Sequence, residues 1–435
     1  MKKIFVMALS VLVLGGCDQF KPKQIPLKGE RVSVLQHDRS LSADAEVAGK
    51  QILLPAPTLN VAWPQAGGYA NHAMHHVQVS DNLKKIWSAD IGAGTNTEER
   101  LGGEPVISNG IIYTIDTESK VTAFDTKTGK QLWRTETTPE DEDDGHINGG
   151  LATDGIHIFV TTGFAQVISL DAATGKEIWR KSLDAPMRAA PTVRGGRVFA
   201  VTLNNKTFAL NSETGEELWA HSGLPEPASI LGAASPAVDR GIIVVPYSSG
   251  QLVALRAENG RLLWEESLSA ARRTELISTL ADIRGRPVID RNRVIAMSHG
   301  GQMVSIDLRT GRRIWSREIG GLESPWVAGD YIFALTNQAE VICIDRETGR
   351  AYWVQALPRF EDPDDLEEPI VWTGPILASD RLIVAGSNGE AMAISPYSGK
   401  ILGIIDMPDR VSVPPVVANG SVFFLADDAE LVAYR

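Results

Sequence analysis

The sequence predicts an all-β protein, an eight-bladed β-propeller with four antiparallel strands per blade. Three observations predict it. A Gly followed four residues later by a Trp recurs along the chain. An apolar strand that opens on Pro precedes each copy. And one strand too many before the first copy matches one too few in the last.

Taken in order, the first element is residues 1–17. Lys2 and Lys3 make a positive start, and Ile4 to Leu14 is an apolar run too short to cross about 30 Å of hydrocarbon as a helix. The pattern is that of a secretory signal ending Leu14-Gly15-Gly16-Cys17. This ending resembles the bacterial lipobox, which implies that Cys17 is acylated and anchors the chain in a membrane. Residues 18–60, with Pro22, Pro26, Pro55 and Pro57, have no sustained period. They are expected to be a mostly irregular periplasmic tether with a short helix near Leu41–Lys50. Residues 61–435 are expected to be the propeller. Cys343, within Val341-Ile342-Cys343-Ile344, reads as strand core.

The repeat is Gly129/Trp133, Gly175/Trp179, Gly215/Trp219, Gly260/Trp264, Gly311/Trp315 and Gly349/Trp353, with Gly399/Gly403 a degenerate copy. Around it the chain reads D-x-x-T-G-x-x-x-W, as in Asp125, Thr128 and Asp171, Thr174, with Asn211 in the third copy. This is hairpin chemistry: Asp or Asn bonds its own backbone two or three residues on, and Gly takes the φ > 0 position. Pro105, Pro191, Pro236, Pro287, Pro325, Pro375 and Pro415 open the other marked strand, with Leu151 in that place in the second copy. Pro suits a strand's first residue, where no ladder N–H is needed.

Both strand types count to eight. The strand before the turn ends at Phe124, Leu170, Leu210, Leu255, Ile306, Ile344, Ile394 and Tyr434. The last copy has no Trp strand after it, while Leu83-Lys-Lys-Ile-Trp87 is a Trp strand with none before it. The N-terminal strand is therefore expected to complete the C-terminal blade and close the ring, which protects the edges. The regular Trp residues read as packing between blades.

These copies resemble the tryptophan-docking repeat of the quinoprotein propellers, over about residues 80–435. Two families share that repeat, the PQQ-dependent dehydrogenases and the BamB family of lipoproteins that assist outer-membrane β-barrel assembly. Three features favour the second: the lipobox, a length that leaves no long insertions, and the stretch Arg272 to Arg284. That stretch is similar to an interblade BamB segment at Thr274, Glu275, Leu276, Leu280, Asp282 and Ile283. Ala228-Ser-Ile-Leu-Gly232 stands in the place of a second one, with Leu231 where the family has Arg and Arg284 where it has Asp.

The resemblance implies a non-enzymatic scaffold. Its partners would be the POTRA region of BamA, other assembly lipoproteins and unfolded outer-membrane proteins. The contact would involve Ile230, Leu231, Gly232, Arg272, Arg273, Glu275, Asp282 and Arg284. The location implied is the outer membrane, facing the periplasm. Asp18, which retains enteric lipoproteins in the inner membrane, leaves that membrane as the alternative. The other readings are a PQQ-dependent oxidoreductase or an envelope propeller with some other ligand.

Chemistry elsewhere is sparse. No cofactor or metal is expected: there is no Cys-Cys pair, no G-x-S-x-G elbow and no phosphate-binding Gly loop. His72, His75 and His76 have spacing that would suit a metal on a helical turn, but without an accompanying carboxylate or thiol they are expected on a surface loop. The acidic runs 140–144 and 361–368 read as solvated loops. Arg272, Arg273, Arg284, Arg286, Arg291 and Arg293 form a basic run in a chain of net charge −12, the sort of local reversal that sets docking register. The acidity excludes a nucleic-acid binder, and 43% hydrophobic against 22% charged residues is the balance of a folded domain.

Overall fold

The hairpin chemistry of the repeat is visible atom by atom. Oδ1 of Asp125 accepts from the backbone N of Thr128 at 2.9 Å and from its hydroxyl at 2.8 Å. Asp171, Asp307 and Asp345 do the same in their blades. The hydrogen bond from the Thr hydroxyl holds the carboxyls of Asp125, Asp171 and Asp307 below the usual range. The Gly that follows is left-handed each time, from +69° at Gly129 to +74° at Gly399.

A computed structural model describes residues 41–142, 147–226, 233–268 and 282–435. Ser42–Arg435 form one compact unit, which holds the propeller. Its described residues include 34 strands, of which 32 form eight four-stranded antiparallel sheets. The first blade is Val106–Ser108, Ile111–Ile115, Lys120–Asp125 and Gln131–Glu136, running from the axis outward. The Pro residues stand one place before the inner strands, except Pro375, which lies inside Trp372–Ala378. The eighth blade is Val416–Ala418, Ser421–Leu425, Glu430–Tyr434 and then Lys85–Asp90. The strand expected to close the ring closes it, with Lys84 and Arg435 exchanging backbone hydrogen bonds at 3.0 and 2.9 Å.

Each Trp of the repeat docks on the next blade. Trp133 donates its indole N–H to the Ala172 carbonyl at 3.1 Å, and a Cβ on Gly175 would meet its ring at 2.5 Å. Six further pairs repeat this, from Trp87 on Gly129 to Trp353 on Gly399. Gly is required twice over, for the positive φ and for the close approach of the indole. Cys343 is fully buried, and burial pushes its thiol up.

Two expectations on the N-terminal side need correction. Residues 44–48 make a single turn closed by Ala48 N to Asp44 O at 2.8 Å, not a helix. Asp44 is spent instead on blade six: its N–H donates to the Ala351 carbonyl and its carboxylate accepts from the Ala351 N–H at 2.6 Å. From there the segment is irregular yet packed, with Val47, Ile52 and Asn60 buried.

Residues 58–80 then run round the axis and bond to every blade in turn. Trp63 pairs with Ile107 in blade one, and Gln65 with Ala152 and Val193 in blades two and three. The Ala70 carbonyl takes Val238 N and the Asn71 carbonyl takes Ile289 N. The His75 carbonyl takes the Trp326 indole at 2.6 Å, and Val77 and Val79 bridge to blades seven and eight. This strap plugs the axis. No periodic pattern announces it, because its backbone partners are eight separate inner strands rather than one neighbour.

Candidate functional site

The eight connections between blades all reach one face of the ring. There they line a cavity of about 880 Å³ on the axis. Its wall carries Arg100, Arg188, Arg284, Arg286 and Arg410 against Glu104, Glu323, Asp409 and Asp427. One lining residue ties the wall to the strap: Glu104 accepts from the Gly67 N–H at 2.9 Å and pairs with Arg286 at 2.5 Å. The cavity is thus a charged cup ringed by the interblade connections.

Burial pushes the Glu323 carboxyl up, while Arg284, Arg286 and hydrogen bonds from Thr373 (3.0 Å) and Gly374 N (3.4 Å) pull it back. Burial also raises Asp427, which accepts from Ser412 at 2.7 Å. Such a cup presents a dense, mixed-sign polar surface suited to docking by charge complementarity.

Of the residues expected to contact a partner, Ile230, Leu231, Gly232, Arg272, Arg273 and Glu275 lie outside the described residues, as does Cys17. The chain re-enters the described structure from their two segments at Ala233 and Asp282. Ala233 and Arg284 both line the cup, as does Ile147, just after residues 143–146. Asp282 is not the rim charge expected. It is 6% exposed, and its carbonyl takes the His299 N–H at 2.9 Å, so it fixes the base of its loop.

The basic run does not form one patch. Arg284 and Arg286 face the cup, whereas Arg291 and Arg293, past the inner strand Val288–Asp290, pair with Asp330 and Glu347 of blade six at 2.9 and 2.8 Å.

The three His residues are not on a helical turn, and only His75 keeps substantial exposure. His72 and His75 have φ of 58° and 55°. His72 and His76 are buried in the strap, with Nδ1 atoms on the carbonyls of Pro287 (2.8 Å) and Pro55 (2.7 Å). Burial and nearby Arg286 lower His72 to about 3. Among the described residues no three His, Cys, Asp or Glu side chains are placed to share a metal ion. The acidic run 361–368 is not a plain loop either: Phe360–Asp362 and Glu367–Pro369 pair as a small exposed hairpin.

The model of the family described as "Outer membrane protein assembly factor BamB" matches residues 74–141 and 117–355, well over half of the chain. The chain belongs to the BamB family. A relative from Yersinia pestis described as outer membrane protein assembly factor BamB is 28% identical over 55% of this chain and 62% of its own length. One from Nitrosomonas eutropha is 25% identical over 49% of this chain and 51% of its own. The chain thus spans between half and two thirds of these relatives' lengths in the matched region.

The fold is that of the crystal structure of BamB from Moraxella catarrhalis, with a TM-score of 0.69 and 19% identity over 81% of this chain and 100% of that one. It is also that of a quinohemoprotein alcohol dehydrogenase from Pseudomonas putida. Here the TM-score is 0.66 and the identity 13%, over 86% of this chain and 80% of that one. BamB membership separates the two groups that share the propeller where shape alone does not.

Proposed function

We propose that the chain is a non-enzymatic scaffold of the outer-membrane protein assembly machinery, held by an acylated Cys17 on the periplasmic side of the outer membrane. It binds the POTRA region of BamA, works beside the other assembly lipoproteins, and assists delivery and insertion of β-barrel proteins. The observation that carries this reading is the family match together with the cup: both segments similar to BamB contact loops return to the propeller at one charged opening. Ile230 and Leu231 supply apolar area to that contact, and Arg272, Arg273, Glu275 and Arg284 its charged rim.

Affinity capture from detergent-solubilised envelopes tests the reading. BamA is expected as the main co-purifying protein, and its absence from captured wild-type complexes would overturn the proposal. The anchor is tested separately. Cys17→Ala protein is expected in the soluble periplasmic fraction with unchanged melting, and retention in the membrane after a salt wash would show another anchor.

A further inference from the structure

Seven of the eight seams between blades are sealed by an indole on a glycine, and the eighth is not. In the outer strand of blade seven, Ile401–Asp406, Gly403 holds the Trp register: it pairs with Ala393 as Trp353 pairs with Cys343. The aromatic partner of the Trp is missing too. Phe333, whose ring lies 6.1 Å from that of Trp353, is matched in blade seven by Ile383. A Cβ on Gly403 would meet nothing within 4 Å. In place of the missing rings lies a groove of about 630 Å³, lined by Ile383, Met392, Leu402, Ile404, Phe424 and Tyr434 among others.

The strand beside it is unlike an ordinary edge. All six residues are exposed, including Ile401, Leu402, Ile404 and Ile405 at 42–59%, and its single charge is Asp406 at the end. Outer strands such as Gln131–Glu136 and Glu177–Ser182 carry charge along their length. Blade six has an uncharged outer strand, and there the Asp44 segment covers its start. A flat apolar edge left open is a template for a further strand.

We propose that this seam is a binding site for an extended, uncharged polypeptide strand that pairs with Ile401–Asp406 and places an aromatic side chain in the groove. A free backbone edge selects a peptide in strand form, since its unpaired N–H and C=O groups need a matching ladder. The seven sister seams show what fills the corresponding space, an aromatic ring packed between two blades. Asp81 and Asp380 at the rim are balanced by Lys84 and Arg381, so nothing there selects a charged ligand. The groove lies within the roughly 300–1,000 Å³ range of ligand sites. The inference deepens the scaffold reading, on which it rests for the source of the strand, an unfolded outer-membrane protein.

The test is fluorescence anisotropy with a short labelled peptide alternating Phe and Thr, and its Ala-for-Phe counterpart, against the full chain. Wild type is expected to bind the Phe peptide and to bind the Ala peptide at least about tenfold more weakly. Gly403→Trp supplies the missing indole from within. It should raise the melting temperature and weaken Phe-peptide binding by about tenfold or more. Ile404→Lys should weaken binding with melting unchanged. Equal binding by wild type and Gly403→Trp, with the variant folded, would overturn the proposal. Binding seen only after removal of residues 18–40 would assign the seam to that segment, and self-association abolished by Gly403→Trp would assign it to a second copy. Either overturns the partner strand. BamA capture is read in parallel: no peptide binding by the wild type, with capture intact, sinks this site alone, and capture lost with peptide binding intact sinks the scaffold reading alone.

Discussion

Gly215 and His72 mark the two extremes of what a single residue shows in sequence. Gly215 is legible, because the D-x-x-T-G-x-x-x-W spacing demands a turn glycine. Its φ of +71° and the 2.7 Å between a would-be Cβ and the Trp179 ring give that demand its cause. Gly215→Ala should cost about 1–3 kcal/mol in urea unfolding, from strain and from pushing the indole off its seat. A stability equal to wild type would deny the docking role.

His72 is not legible, because its fate depends on Pro287 and Arg286, more than two hundred residues away. Its pKa falls from 6.5 to about 3 on folding. Between those values the unfolded chain binds a proton that the folded chain refuses. The stability from a neutral ring is therefore complete above pH 6.5 and lost as pH falls toward 3. At pH 5 the loss should be about 2 kcal/mol relative to pH 7. His72→Asn, which tolerates the left-handed backbone, should be less stable at pH 7 but flatter from pH 6.5 to 4 in the same unfolding series. An unchanged slope would locate the acid sensitivity elsewhere.

At the scale of elements, strand count and closure were readable because each hairpin carries its own punctuation of Pro, Asp and Gly. The pairing of Lys85–Asp90 with Glu430–Tyr434 followed by counting, and Lys85 and Glu430 add an ion pair at 3.0 Å. Deleting Leu83–Trp87 removes this strand and the Trp87 seat on Gly129 together. A large loss of melting temperature with aggregation is expected, and an unchanged melting curve would refute the closure. The strap of residues 58–80 was not readable. Its hydrogen bonds go one or two at a time to eight blades, so neither period 2 nor period 3.6 appears, and its buried His residues look like loop residues in sequence. Asp282 was misplaced for a related reason: a motif fixes where a residue stands along a loop, not how deep the loop's base is set.

The unit Ser42–Arg435 is a ring closed by the pairing of Lys85–Asp90 with Glu430–Tyr434, and it opens as a charged cup where the interblade loops meet. Its fold was almost entirely legible, whereas the cup was legible only in part. Arg284 was singled out, but Arg100, Arg188 and Arg410 come from connections far apart in sequence and gather only when the ring closes. In the proposed function, partner docking belongs to the loops at this opening. Titration of the purified periplasmic region of BamA by calorimetry tests it most directly, with wild type, Leu231→Glu, Arg284→Glu and Asp364→Lys in the exposed acidic hairpin as control. Leu231→Glu is expected to weaken binding by about thirtyfold, near 2 kcal/mol, and Arg284→Glu to weaken it as well. Melting should be unchanged for Leu231→Glu, and Asp364→Lys should bind as wild type does. Wild-type affinity in both loop variants, with binding abolished by Asp364→Lys, would contradict the account and move the docking surface to the acidic hairpin.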